Sequence, residues 1–408
     1  MIVVRTATGR RDRRRARWAA LDWRLLMRRI ALLALLFLLA GAAGAEAAER
    51  RVPQGWLGVT ADGPFDASDA DEWDRMVVAG VESVRTAFYW ALLQPYATQQ
   101  DVPPAEAARY RDAGGVPTDF SSTDAIVAAA AQRGLAVLPV VQFTPAWAAR
   151  RPGRFRSPPA RAADVTRIFR TLVERYGPRG SLWDERPDLP RRPIRQWQVF
   201  NEPNLKGHWP VQPFGRSYTA TLRGAERGIH GADPAATVVL AGLTGKSWTA
   251  LRALYKAGAR GAFDAVAVHP YTALPSGVMR IVRYTRRVMR RYGDRRLPIW
   301  ITEFSWPAAG SRMRNVPAWA AVSDAEQARL LRRAMRQMVR ERKRVRIAGV
   351  YWYSWITPET RRSWFGYSGL RRVRRGERVD APVLRQFRRS ARKLEGCAKA
   401  PADALRCA

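Results

Sequence analysis

Eight apolar runs, separated by segments with helical periodicity or helix-start signals, predict an α/β fold: a TIM (β/α)8 barrel, single domain. Strand and helix alternate throughout, which implies a parallel sheet rather than hairpins. The eight units occupy roughly 350 residues, matching a barrel of about 250 residues with loop insertions. No Gly/Ser-rich or Pro-rich linker divides the pattern, so the 408 residues read as one folded unit rather than the two or three that length alone allows.

The elements follow in order. The first run is 56–60 and is followed by a helical pattern at 71–80. The second run, 83–90, is followed by 122–133. The third, 135–143, leads to 164–176, and the fourth is 194–200. Runs five to eight are 237–243, 263–269, 298–302 and 347–355, with a helical pattern at 323–342 before the last. A final helix is expected at 382–394, followed by a tail.

The N-terminus has a composition of its own. Arg10 to Arg17, then Arg24, Arg28 and Arg29, precede the apolar stretch 30–40. Ala43-Gly44-Ala45 and Ala45-Glu46-Ala47 both fit a small-residue cleavage site. Positive, apolar, small is the order of a secretory signal. The apolar core is shorter than the roughly 20 residues of a spanning helix, so export with cleavage is expected, and a retained membrane anchor is the alternative. Met27 would by itself begin a compact signal, which leaves the native start open, and Arg28-Arg29 permits a twin-arginine route. The expected organisation is therefore 1–47 as basic segment and signal, 48–396 as barrel domain and 397–408 as tail.

The formal charge is +36, of which residues 1–47 contribute ten Arg against three acids. The arginines are scattered over helix faces, without zinc-finger spacing, an RNA-binding glycine motif or a basic region leading into heptads. No dedicated nucleic-acid role follows, although such a charge would attract anionic polymers at the cell surface. Two cysteines, Cys397 and Cys407, lie beyond the barrel, and a disulfide and two free thiols are equally compatible with them. Three scattered histidines, His208, His230 and His269, have no metal-ligand spacing. No metal and no cofactor are expected, and a monomer is the expected state.

Chemistry enters with two glutamates, each closing an apolar run. Glu202 stands in Phe200-Asn201-Glu202-Pro203-Asn204 and Glu303 in Ile301-Thr302-Glu303-Phe304. Paired carboxylates at strand ends are what glycoside hydrolysis requires, one to protonate the leaving oxygen and one to attack or stabilise the sugar carbon. Asn201 adds an amide beside the first, and Pro203 stops the strand after it. Arg85 lies within the apolar run Val84-Arg85-Thr86-Ala87-Phe88, where a charge needs a partner. Trp90, Trp147, Trp209, Trp306, Trp352 and Trp355 fall at or just past strand ends, and indole faces commonly carry sugars. Trp352 and Trp355 cannot both face the interior of a regular strand; Trp355, nearer the end, is the favoured platform, with Trp147 and Trp209 beside it.

Asn201-Glu202-Pro203-Asn204 followed by Thr302-Glu303-Phe304 resembles the paired signature of clan A glycoside hydrolases, with the texture of families 5 and 39. The resemblance implies that Glu202, on strand 4, is the acid/base and Glu303, on strand 7, the nucleophile. It further implies that Arg85 hydrogen-bonds the nucleophile and keeps it ionised. His269-Pro270-Tyr271 is similar to the His-x-Tyr element near the clan's nucleophile: Tyr271 would orient Glu303, and the imidazole would bind a sugar hydroxyl or a carboxylate. Asn201 would contact the sugar 2-hydroxyl. The implied activity is that of a secreted retaining glycoside hydrolase that cleaves O-glycosidic bonds of a poly- or oligosaccharide. A catalytically silent glycan-binding protein and a transglycosidase are the alternatives on the same fold. The loops 91–121, 205–217 and 307–322 would shape the substrate site, and their composition does not select a glycan.

Overall fold

The computed structural model describes residues 50–396 apart from Pro64, Phe65, Ser311 and Ala318. The expected signal and the Cys397/Cys407 pair lie outside the described residues. The main sheet has nine parallel strands: β1 Leu57–Thr60, β2 Ser83–Tyr89, β3 Ala136–Gln142, β4 Gln196–Val199, β5 Thr237–Val239, β6 Leu243–Thr244, β7 Val266–His269, β8 Ile299–Phe304 and β9 Ile347–Tyr353. Their order is β5-β4-β3-β2-β1-β9-β8-β7-β6. The two edges of that order, β5 and β6, are halves of the single fifth run expected from the sequence. The sheet therefore curls until its edges meet in one stretch of chain, and an isolated bridge between Val239 and Ala265 ties the halves across. The result is an α/β barrel.

The break in the fifth run has a local cause. A Cβ on Gly242 would lie 1.9 Å from Nε2 of His269, so the chain passes against the imidazole where only glycine fits. The amide of Ala241 turns to the Tyr218 hydroxyl at 2.9 Å instead of to a neighbouring strand. Regular pairing is given up here to seat His269.

Outside the strands run α1 Ala70–Val78, α2 Ser121–Gln132, α3 Ala162–Tyr176, α4 Phe214–Ala232, α5 Ser247–Lys256, α6 Pro275–Arg291, α7 Asp324–Val345 and α8 Pro382–Glu395. Helix α3 is representative. Its buried Val165, Ile168, Phe169, Leu172, Val173 and Tyr176 recur at the spacing of one helical face, which packs toward the sheet. The Ser323 hydroxyl opens α7 by accepting from the Glu326 amide at 3.2 Å, an N-cap.

Inside the barrel, Leu138, Val239, Ala265, Ala267 and Tyr351 form a buried cluster with Trp300 packed against it. Gly349 makes room for that indole, since a Cβ there would approach the Trp300 ring to 2.9 Å. The barrel is thus a filled core, and chemistry is confined to the rim where the strands end. Beyond β9, a small sheet of Ile356–Pro358, Arg371–Arg374 and Glu377–Asp380 is tied to α1 through the Arg371–Glu72 ion pair and to the start of α7 through Arg372–Asp324.

Candidate active site

Local backbone aims both glutamates. After β4 the Phe200 amide still bonds the Val141 carbonyl at 3.0 Å, and then Phe200 (φ 59°) and Glu202 (φ 46°) adopt left-handed conformations. Such conformations cost non-glycine residues about 1–3 kcal/mol each and concentrate at functional sites. On β8, Ile301 pairs with Val350 but Phe304 with Trp352, three residues against two. That bulge re-aims the Glu303 side chain. Both carboxylates are largely buried at the same rim, and an oxygen of each lies within 4.8 Å of the other.

Arg85 is 1% exposed and uses its whole fork. Nε donates to Oε1 of Gln198 at 2.7 Å, Nη1 to Oε1 of Glu303 at 2.8 Å and Nη2 to Oδ1 of Asn201 at 2.8 Å. The planar guanidinium thereby fixes a carboxylate and two amides in one frame. With its carbonyl oxygen held, Asn201 keeps its amide donors for a ligand. The Tyr271 hydroxyl donates to the other oxygen of Glu303 at 2.8 Å, so both oxygens of that carboxylate are held.

Glu202 has different surroundings. His269 Nδ1 is 2.8 Å from its Oε1, and Nε2 of the same ring is 3.0 Å from the Thr302 hydroxyl. His208 Nε2 lies 3.5 Å from the other oxygen. Burial raises the pKa of Glu202, against the opposing pull of His208, Arg85 and Arg156. Burial also pulls His269 down to about 4, although the Glu303 charge works the other way. At neutral pH the ring is therefore uncharged. Because the Thr302 hydroxyl can donate or accept, the neutral ring can face either a charged or a protonated Glu202.

Of the residues expected from the sequence, Glu202, Glu303, Asn201, Arg85, His269 and Tyr271 come together here. His269 is fully buried, so of its two expected partners it meets the carboxylate and not a sugar. The indole expectations need correction. Trp355 is 0% exposed and donates to the buried Glu72 at 2.8 Å. Trp209 is 1% exposed and donates to Ser217 at 2.9 Å. Neither can be a platform. Trp147 is half-buried, with its indole N–H on the Gln94 carbonyl.

Other rings line the rim. Tyr89, Phe143 and Phe155 stack in series at 5.3 Å per pair, and Phe155 is 72% exposed. Tyr271, Trp319 and Phe365 cluster on the nucleophile side. Sequence reading also missed Gln198, Thr302, His208 and Arg156. The last lies over Phe143 and Phe155 and lines a small pocket with Asn201 and His208. Gln198 carried a usable signal, a polar side chain within an apolar strand. His208 and Arg156 sit in loops and carried none.

Glu202, His269 and Glu303 could in principle offer three ligand atoms to a metal ion. Each of those side chains is already engaged, and the Arg85 guanidinium beside Glu303 opposes a second cation. The arrangement suits acid, base and nucleophile chemistry instead.

Residues 191–364 match the family model described as the glycosyl hydrolase catalytic core, a span that includes both glutamates, His269 and Tyr271 but not Arg85. No curated protein matches the chain in sequence. Among solved structures, the fold is similar to a family 39 glycoside hydrolase from the gut symbiont Bacteroides cellulosilyticus WH2, with TM-score 0.61 and 18% identity over 85% of this chain and 64% of that one. The chain thus spans just under two thirds of that enzyme. It is also similar to a monomeric beta-xylosidase from Caulobacter crescentus CB15, with TM-score 0.57, 18% identity, and 84% and 69% of the two chains covered. A hyperthermophilic beta-glucosidase from Pyrococcus furiosus aligns with TM-score 0.56 and 13% identity over 87% of this chain and 99% of that one. At these identities the likeness is one of fold.

Proposed function

We propose, from the premise that this chain is a clan A glycoside hydrolase, that it cleaves O-glycosidic bonds of a poly- or oligosaccharide with retention of configuration. Glu303 is the nucleophile and Glu202 the acid/base. The observation that carries this reading is the separation of the two carboxylates. Oxygens within 4.8 Å suit the roughly 5–5.5 Å of a retaining pair and are short of the roughly 6.5–9.5 Å that leaves room for a water in an inverting one.

In the first step a Glu303 oxygen bonds to the anomeric carbon as the glycosidic C–O bond breaks, and the Glu202 carboxyl passes its proton to the departing oxygen. A glycosyl ester and a free alcohol result. In the second step the Glu202 carboxylate takes a proton from water as that oxygen attacks the anomeric carbon. The ester C–O bond breaks, and both side chains return to their starting forms. Burial that favours the protonated form of Glu202 suits the first step. Once Glu303 is esterified its negative charge is gone, so Glu202 gives up its proton more readily and stands as the carboxylate that can take one from water. Asn201, its amide donors free, would hydrogen-bond the sugar 2-hydroxyl as charge develops. Arg85 and Tyr271 orient the nucleophile.

The experiment is covalent trapping. An activated 2-fluoro glycoside should inactivate the enzyme, and peptide mapping should find the added sugar on Glu303. A label on another side chain would reject the assignment. A transglycosidase would share the first step, and adding a sugar acceptor during turnover distinguishes it by product.

Export is part of the proposal, supported by the order of charge, apolar run and small residues before residue 48. We treat 48–396 as one catalytic domain. N-terminal sequencing of extracellular protein should begin near Ala48, whereas full-length protein released only by detergent would favour an anchor.

A further inference from the structure

On the outer wall, α7 and α8 enclose a groove of about 640 Å³. Both helices return from the catalytic rim toward the end where the strands begin. Arg51, just before β1, borders the groove, and its backbone N–H donates a hydrogen bond to the Leu394 carbonyl at 2.8 Å. Six of the lining residues are cations: Arg51, Arg332, Arg336, Arg340, Arg389 and Lys393. Among the described residues, no carboxylate and no aromatic ring lines the groove. Among the described residues, none of these six side chains makes an ion pair or a hydrogen bond. Where a carboxylate is within reach, as Glu341 is of Arg283, surface arginines pair; in this groove none of the described lining residues offers one.

The spacing is regular. Arg332, Arg336 and Arg340 recur every four residues on one face of α7, about 6 Å apart along the helix, and Arg389 and Lys393 repeat that step on α8. A row of like charges at i, i+4 destabilises a helix unless anions neutralise it. A second observation is independent of charge. Gln337, in the same groove, has its Oε1 buried with no hydrogen-bond partner among the described residues, an acceptor that a hydroxyl would satisfy.

We propose that this groove binds a linear, carboxylate-bearing polysaccharide, holding the enzyme on an acidic glycan by a face separate from the catalytic rim. Guanidinium groups match carboxylates in shape and charge, and Gln337 matches a sugar hydroxyl. A charge every helical step suits a chain that repeats its charge with each sugar. The groove lacks the stacking rings that single-stranded nucleic acid uses, and its concavity suits a chain better than a flat lipid surface. The proposal does not depend on which glutamate attacks, because binding is measured without turnover.

The probe is fluorescently labelled polygalacturonate oligomer, titrated into the purified protein. The wild type should bind it, bind neutral dextran much more weakly, and lose affinity as salt rises. The variant R332A/R336A/R340A should bind at least about tenfold more weakly, close to 1.4 kcal/mol. Its turnover of a small chromogenic glycoside should be unchanged. If the triple variant fails to fold, R389A/K393A gives the same reading. Equal binding by wild type and variant would overturn the proposal. So would tighter binding of phosphatidylglycerol vesicles or a single-stranded oligonucleotide than of polygalacturonate.

Discussion

The Arg85 guanidinium donates to Oε1 of Glu303 at 2.8 Å, with both side chains buried. The same group holds Gln198 and Asn201, so one side chain on β2 sets the geometry of residues from β4 and β8. Arg85→Met should lower kcat/KM by about 10²–10³-fold, the size of effect seen when a preorganised donor is removed. Arg85→Lys should recover little of it, because an ammonium cannot reproduce the three-way fork. Steady-state kinetics on a chromogenic glycoside checks both, and near-normal Arg85→Lys activity would mean that charge alone suffices.

The pH profile follows from the state of Glu202. Burial raises its pKa, and Arg156 is among the groups that lower it. The first step needs the protonated carboxyl, so kcat/KM should fall as pH rises through that pKa. Removing the opposing charge with Arg156→Met should move this alkaline limb to higher pH by up to about one unit. A limb that stays in place or moves down would separate it from Glu202.

Trp355 should matter for folding and not for turnover. Its indole N–H bonds Glu72, a fully buried carboxylate also held by Arg371. Trp355→Phe leaves an acceptor of Glu72 unsatisfied and should cost about 1–3 kcal/mol of stability. Chemical denaturation measures the loss, and kcat should be unchanged. A large fall in kcat with intact stability would restore the ring to the sugar site.

The barrel was legible in the sequence because strands buried on both faces read as apolar runs. The expected helices fall within three residues of α1, α2, α3, α7 and α8. The exception, the split between β5 and β6, depends on the close approach of Gly242 to His269, a tertiary contact with no local signature. In the site, Glu202, Glu303 and Arg85 were legible as charges at the ends of, or within, apolar strands. The tryptophans were not. Nearness to a strand end does not say which face a ring takes, and the partner that draws Trp355 away lies 283 residues distant. His208 and Arg156 reach the site from loops, whose paths the sequence pattern does not fix.

The roles of the two glutamates also predict separable mutants. Glu303→Gln should abolish turnover. Glu202→Ala should retain measurable activity toward substrates with good leaving groups, which need little protonation, and added azide should restore more by attacking the glycosyl ester where water now lacks a base. Equal losses on good and poor leaving groups would contradict the acid role of Glu202.

The most direct test of the central claim, that Glu202 and Glu303 act as a close retaining pair, is a proton NMR time course of hydrolysis. Once a screen of chromogenic glycosides has supplied a substrate, the anomeric signal of the first-formed product is followed before mutarotation. Double displacement predicts that this product keeps the configuration of the substrate. An inverted first product would contradict the account.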